Sequence, residues 1–199
     1  NGVREHMKKH AAIMRPKFEA VLKVLEEELG GLGIGTWTKP NGGYFISFDS
    51  MEGCAKAIVA KCKENGQNFL FETGQETPVT LKRAIQDIEK ALGKGTVGIN
   101  LDPANLLMYG KANPVDALEV FGEYVMGIHG KDGKYPTDGH HLGDEVPLGQ
   151  GKVNYPAFIA KLKEVGYEGD ITIEREIDGD EQKKDIRMAK DLLDKLIAE

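Results

Sequence analysis

Apolar and polar positions fall into two rhythms along the chain. From residue 4 to residue 29, Ile13, Phe18, Val21, Leu22, Leu25 and Leu29 recur at helical spacing with Lys and Glu between them, predicting one long amphipathic helix ended by Gly30 and Gly31. Residues 36–49 read as a β-hairpin around a Pro-Asn-Gly turn, and a second helix is predicted over 53–63. Beyond residue 68 strands and helices alternate. Strands are predicted at 69–72, 96–101, 124–128 and 171–173; helices are predicted from Thr77-Pro78 to Leu92, from Asn113-Pro114 to Phe121, from Tyr155-Pro156 to Val165, and over 185–198. The pattern is that of an α/β chain with four βα units behind a smaller segment.

Each predicted strand of the second part delivers a polar group at its end. Glu72, Asp102, His129 and Glu174 each follow a short apolar run, and parallel βα units place such ends on one rim, where active sites collect. Three carboxylates and one imidazole suit manganese, magnesium or cobalt, with zinc also admitted, and the absence of a thiolate argues against a structural zinc knot. Each residue has an ordinary alternative: Asp102 before Pro103 as a turn residue, Glu174 beside Arg175 as an ion pair. The coincidence of four such ends weighs against those alternatives taken together. The connection over 130–154, with Lys131, Asp132, Tyr135, His140 and His141, is long enough to be a functional loop. Asp178-Gly179-Asp180 is a turn, because the glycine and terminal glutamate of a calcium loop are misplaced.

Composition narrows the classes. With 199 residues the chain makes one large or two small domains. Thirty-two acidic against 26 basic residues, a net charge of -6 without long runs of one sign, disfavour a nucleic-acid surface. No run approaches the roughly 18 apolar residues of a membrane span and no leader pattern is read, so the expected compartment is the cytoplasm. Cys54 and Cys62, eight apart in one predicted helix, stand about 12 Å from one another and are read as core thiols. His6 and His10, one turn apart, form a surface pair more naturally than a metal grip. The glycines over 30–35 lack the spacing of a nucleotide loop and are read as a helix cap and turn. The chain opens on Asn1 inside a running helical pattern, as a fragment would.

Two resemblances refine this reading. The helix ending in Leu29-Gly30-Gly31-Leu32-Gly33-Ile34, the turn Lys39-Pro40-Asn41-Gly42-Gly43-Tyr44-Phe45-Ile46 and the helix opening Gly53-Cys54-Ala55-Lys56 together resemble the small C-terminal domain of class I pyridoxal-phosphate aminotransferases. The cofactor lysine of that family belongs to the large domain, so pyridoxal phosphate is not expected here. The segments Phe71 to Thr77, Asn100 to Asn105, His129 to Asp132, Gly149 to Val153 and Ile171 to Glu176 are similar to the second half of sugar-phosphate isomerases and epimerases of the xylose-isomerase-like TIM-barrel superfamily. The division implied is 1–66, aminotransferase-like, and 67–199, a (βα)4 half of a TIM barrel.

The second resemblance implies one divalent metal on Glu72, Asp102, His129 and Glu174. It implies a sugar or sugar phosphate as substrate and proton transfer through a metal-stabilised enediolate, Glu72 and Glu174 shuttling the proton. Lys131 would steady developing charge, while Asn105 and Arg175 are candidate substrate contacts. Half a barrel leaves two open strand edges. These would be closed by a homodimer completing the barrel or by the N-terminal segment. The alternative is an inactive fusion or fragment with neither parent activity. A multi-zinc DNA-repair nuclease of the same superfamily would need more histidines at strand ends.

Overall fold

Capped helices and short apolar strands with glycines among them build the larger part of the molecule. A computed structural model of the chain describes residues 2–33, 35–40, 46, 48–51, 54–95 and 97–199. The chain divides into two compact units, residues 1–58 and 59–199.

The first unit opens with α1 (Gly2–Leu29), which contains Pro16 and ends where Gly31 takes a φ of 76°. Strands β1 (Gly35–Trp37) and β2 (Phe48–Ser50) pair antiparallel, with Trp37 stacked on Phe48. Of the hairpin turn read at 40–42, Asn41 and Gly42 lie outside the described residues, as do Gly43, Tyr44 and Phe45. The side chains of His6 and His10 also lie outside the description. Among the described residues of this unit none is fully buried, and Ile13 and Val21 of the α1 stripe are exposed. Helix α2 (Ala55–Glu64) leads into the second unit. Cys54 and Cys62 are free and half-buried, outside the core.

The second unit runs β3 (Phe69–Glu72), α3 (Pro78–Leu92), β4 (Val97–Leu101), α4 (Pro103–Met108), α5 (Pro114–Phe121), β5 (Val125–Gly130), β6 (Asp132–Gly133), β7 (Glu145–Val146), α6 (Tyr155–Glu164), β8 (Ile171–Ile173) and α7 (Gly179–Ala198). Strands β3, β4, β5 and β8 form a parallel sheet in that order. This is the α/β half-barrel arrangement expected. Four helices start on the same chemistry, a capping side chain followed by proline in the first turn. Thr77, Asp102, Asn113 and Asn154 accept from backbone N–H groups at the starts of α3, α4, α5 and α6. Helix α4 is absent from the sequence-based expectation, because Asp102-Pro103 suits a turn and a helix start equally well. Helix α7 begins six residues earlier than expected, at Gly179, and β5 runs on to Gly130.

Alternation gives the sheet two faces. Val97, Ile99, Leu101 and Ile128 are fully buried and pack in one core with Ile85, Leu118, Phe121, Phe158 and Leu193 from the helices. The opposite face carries Leu70, Asn100 and His129. A register shift in β5 makes this possible: Ile99 pairs with Val125, yet Asn100 pairs with Gly127. Met126 is therefore an extra residue. Val125 packs against the core, so uninterrupted alternation would also turn His129 to the core; the bulge moves it to the other face.

The long connection after β5 is tied by one carboxylate. Asp132, 1% exposed, accepts from the backbone N–H of Gly133 and Val153 on Oδ1, and from those of Gly149 and Gly151 on Oδ2, all at 2.8–3.0 Å. A Cβ at Gly151 would lie 2.0 Å from Asp132 Oδ1, which is why glycine stands there. Asp132→Ala leaves four donors without their acceptor, and a loss of roughly 3 kcal/mol or more is expected from denaturant unfolding. Proteolysis within 134–152 should accelerate in the same variant; unchanged stability would show that the loop is held by other contacts.

Candidate metal centre

The rim of the sheet brings four of the sequence-predicted residues together. Glu72 is the last residue of β3, Asp102 follows β4, His129 lies one residue before the end of β5, and Glu174 follows β8. One ligand atom from each lies within 4.8 Å of all the others. His129 Nδ1 faces the carboxylates, 2.7 Å from Glu174 Oε2, 3.5 Å from Glu72 Oε1 and 3.7 Å from Asp102 Oδ2. Among the described residues, the buried side-chain atoms without a well-aligned hydrogen bond are Asp102 Oδ2, His129 Nδ1 and Glu174 Oε2. Buried polar atoms normally make well-aligned hydrogen bonds, so three that lack them and face one another fit a hard or borderline divalent cation.

The supports of these groups are specific. Asp102 divides its oxygens: Oδ1 accepts from Asn105 N–H at the start of α4, at 2.9 Å, and Oδ2 faces the cluster. Its main chain is clamped by the buried Thr73 hydroxyl, which accepts from Asp102 N–H and donates to Asp102 C=O, each at 2.8 Å. Asn105 Nδ2 donates to Glu72 Oε1 at 3.2 Å and to Thr73 C=O at 3.0 Å, so Asn105 steadies Glu72. Asn100 meets the far ring nitrogen of the imidazole, Nδ2 to Nε2, at 2.9 Å.

Lys131 is 2% exposed, with Nζ 2.8 Å from Glu176 Oε1 and 3.7 Å from Asp102 Oδ2 and Glu174 Oε1. The Tyr155 hydroxyl donates to the Lys131 carbonyl at 2.8 Å. Arg175 is not part of the group; its guanidinium pairs with Glu145 and Asp185 at 2.9 Å each. Thr73, Asn100 and Glu176 carry no assignment from sequence, although all three lie inside or beside the quoted motifs.

The field of the cluster sets protonation. Contact with Asp102 and then Glu72, reinforced by the charge of Glu174, raises the His129 imidazole to about 10 against the opposing effect of burial. Glu72 is lowered, first by its contact with His129. Burial raises Glu174. Burial works to lower the Lys131 ammonium, but the Glu176 contact and the charges of Asp102 and Glu174 outweigh it and hold it above its ordinary range. Glu176 is lowered by Lys131.

Known proteins of two families match the two ends of the chain, over ranges that overlap. The model of the xylose isomerase-like TIM barrel family matches residues 47–196, and that of aspartate aminotransferases matches residues 1–80. An aspartate aminotransferase of Corynebacterium glutamicum is 48% identical over 65 residues, 33% of this chain and 15% of that protein. A xylose isomerase domain protein of Planctomyces limnophilus superposes with a TM-score of 0.65 at 38% identity, covering 71% of this chain and 50% of that one. A xylose isomerase-like TIM barrel protein of Mycobacterium smegmatis, solved in complex with magnesium, superposes with a TM-score of 0.55 at 20% identity, covering 72% and 48%. The chain thus spans about half the length of the barrel structures and a smaller part of the aminotransferase.

The His129 pKa, raised from an ordinary 6.5 to about 10, defines a pH window. Its stabilising contribution to chelator-treated protein is complete below pH 6.5 and is lost as pH rises through about 10. The thermal midpoint should therefore fall across that window, and His129→Gln should remove that part of the slope. Cation binding requires neutral imidazole, so about one proton should be released per ion below pH 10; buffer-dependent calorimetric heats measure it.

Proposed function

Because the chain belongs to the xylose isomerase-like TIM barrel family, we propose that its second unit is a divalent-metal-dependent sugar or sugar-phosphate isomerase or epimerase. The observation that carries this reading is the convergence of Asp102 Oδ2, His129 Nδ1 and Glu174 Oε2, buried and without well-aligned hydrogen bonds, beside Glu72. Glu72, Asp102, His129 and Glu174 are the ligand set, for manganese, magnesium or cobalt, with zinc admitted by the imidazole. Bound there, such an ion supplies Lewis-acid polarisation of a ketose carbonyl and its neighbouring hydroxyl.

The remaining chemistry belongs to the chain. Glu72 ends one edge strand and Glu174 follows the other, so they approach a substrate from opposite sides and move a proton between adjacent carbons. Lys131 holds a fixed positive charge behind Asp102 and Glu174 and steadies negative charge that develops on the substrate. Asn105 orients Glu72 through Nδ2 and offers its carboxamide oxygen to a sugar hydroxyl. Arg175, paired with Glu145 and Asp185, acts on substrate only by holding the β7 region in place.

We assign residues 1–66 to an aminotransferase-derived segment and residues 67–199 to the half-barrel. A second copy of the chain would close the open edges of β3 and β8. Two observations favour a second reading, a cation-binding piece without turnover: the parallel sheet has four strands among the described residues, and the chain covers half of the barrel protein it resembles.

Ketose conversion assayed with manganese separates the two. Activity that falls by about 10²–10⁴-fold in Glu174→Gln supports the isomerase. Stoichiometric manganese binding without turnover of any ketose supports the second reading. Asp102→Asn preserves a capping oxygen for α4, so loss of manganese binding in that variant reports on the ligand set and not on the helix. Sedimentation of the same samples should give a dimer; a stable monomer would refute closure by a second copy.

A further inference from the structure

We infer that Asn100 is a positioning residue of the metal centre: its side-chain oxygen accepts the Nε2 proton of His129 and so fixes the tautomer in which Nδ1 is the ligand atom. The inference rests on the metal reading above and adds a residue to it.

The imidazole has one nitrogen on each side of the question. Nδ1 lies 2.7–3.7 Å from oxygens of Glu174, Glu72 and Asp102, whereas Nε2 lies 2.9 Å from Asn100 Nδ2, whose place the carboxamide oxygen takes in the inferred state. A nitrogen that binds a cation must present its lone pair, so in neutral imidazole the single proton then sits on Nε2. A partly buried N–H needs an acceptor, and the Asn100 amide is the side chain in hydrogen-bond reach. The two ends of a carboxamide exchange by a half-turn about the last side-chain bond. With the nitrogen toward the ring, the amide suits the tautomer whose proton is on Nδ1, which donates toward carboxylates. With the oxygen toward the ring, it suits the cation-binding tautomer. The imidazolium of the ion-free centre also donates from Nε2, so the carboxamide oxygen is the matching end in that state and in the cation-binding tautomer alike.

The fold makes room for this amide. The bulge at Met126 sets Gly127 opposite Asn100 in the sheet, and a Cβ at Gly127 would stand 2.7 Å from Asn100 Oδ1 and 3.4 Å from Leu70 Cδ1. Any side chain at 127 would press on the carboxamide. None of the four ligands would be touched by such a change directly, so the position offers an independent handle on Asn100.

The test is manganese titration by calorimetry on the full chain, comparing wild type with Asn100→Leu, Asn100→Asp and Gly127→Ala. Nitrogen-15 spectra of His129 in zinc-loaded protein are recorded in parallel. Asn100→Leu is expected to weaken manganese binding by about 10–100-fold, and Gly127→Ala to weaken it in the same direction. Asn100→Asp, whose ionised carboxylate accepts but cannot donate, is expected to keep or strengthen binding. The zinc-loaded wild type should show protonated Nε2 and metal-bound Nδ1.

Asn100→Leu binding within about twofold of wild type, far below the expected loss, would overturn the inference. So would an Asn100→Asp variant as weak as Asn100→Leu, since the amide would then be acting as a donor. If Asn100→Leu fails to fold, the aspartate and Gly127→Ala variants and the tautomer spectrum decide. A wild type that binds neither ion removes the metal reading and this inference with it, whereas a binding wild type with unaffected variants removes the role of Asn100 alone.

Discussion

Three carboxylates from three strand ends are held so that one oxygen of each lies within 4.8 Å of the others and of the His129 imidazole. Like charges about 4 Å apart repel by about 4 kcal/mol where screening is intermediate, so the rim needs restraint and counter-charge. Lys131 provides the charge from inside the protein, and Glu176 keeps its ammonium in place. Thr73 provides restraint on the Asp102 main chain and Asn105 on the Glu72 carboxylate. The same concentration of negative charge would attract a dication. A site relaxed enough to lose its repulsion would also lose its pull.

The sheet bears this strain because its other face is a dry core. Val97, Ile99, Leu101 and Ile128 anchor the strands whose ends carry the charges. Burial of each such side chain contributes about 1.5–3 kcal/mol, the same order as one repulsive pair. The β5 bulge reconciles the two demands, keeping Val125 and Ile128 in the core while His129 joins the rim. Asp132, three residues on, then gathers the following loop by its backbone N–H groups.

Much of this was legible from the chain. Short apolar runs ending in Glu72, Asp102 and Glu174, and helices announced by Thr77-Pro78 and Asn113-Pro114, follow local rules of alternation and capping. What was not legible is non-local. The bulge is hidden because Val125 and Ile128 keep no period of two, and their meaning depends on the partner strand. Asn100 and Thr73 act across strands, on groups 29 residues away in sequence. Arg175 beside Glu174 invites a pairing of neighbours. Consecutive residues of extended chain face opposite ways, so the guanidinium goes to Asp185 on α7 and Glu145 on β7 instead.

All the groups that shape the centre, from Glu72 to Glu176, belong to one uninterrupted stretch of the second unit. Among the described residues, no member of the cluster comes from sequence ahead of β3. The centre is therefore inherited as a block: exchange of the chain upstream of β3 transmits the full ligand set, whereas a crossover anywhere between β3 and β8 divides it. In a chain whose two parts resemble different families, the candidate cluster lies on one side of the seam.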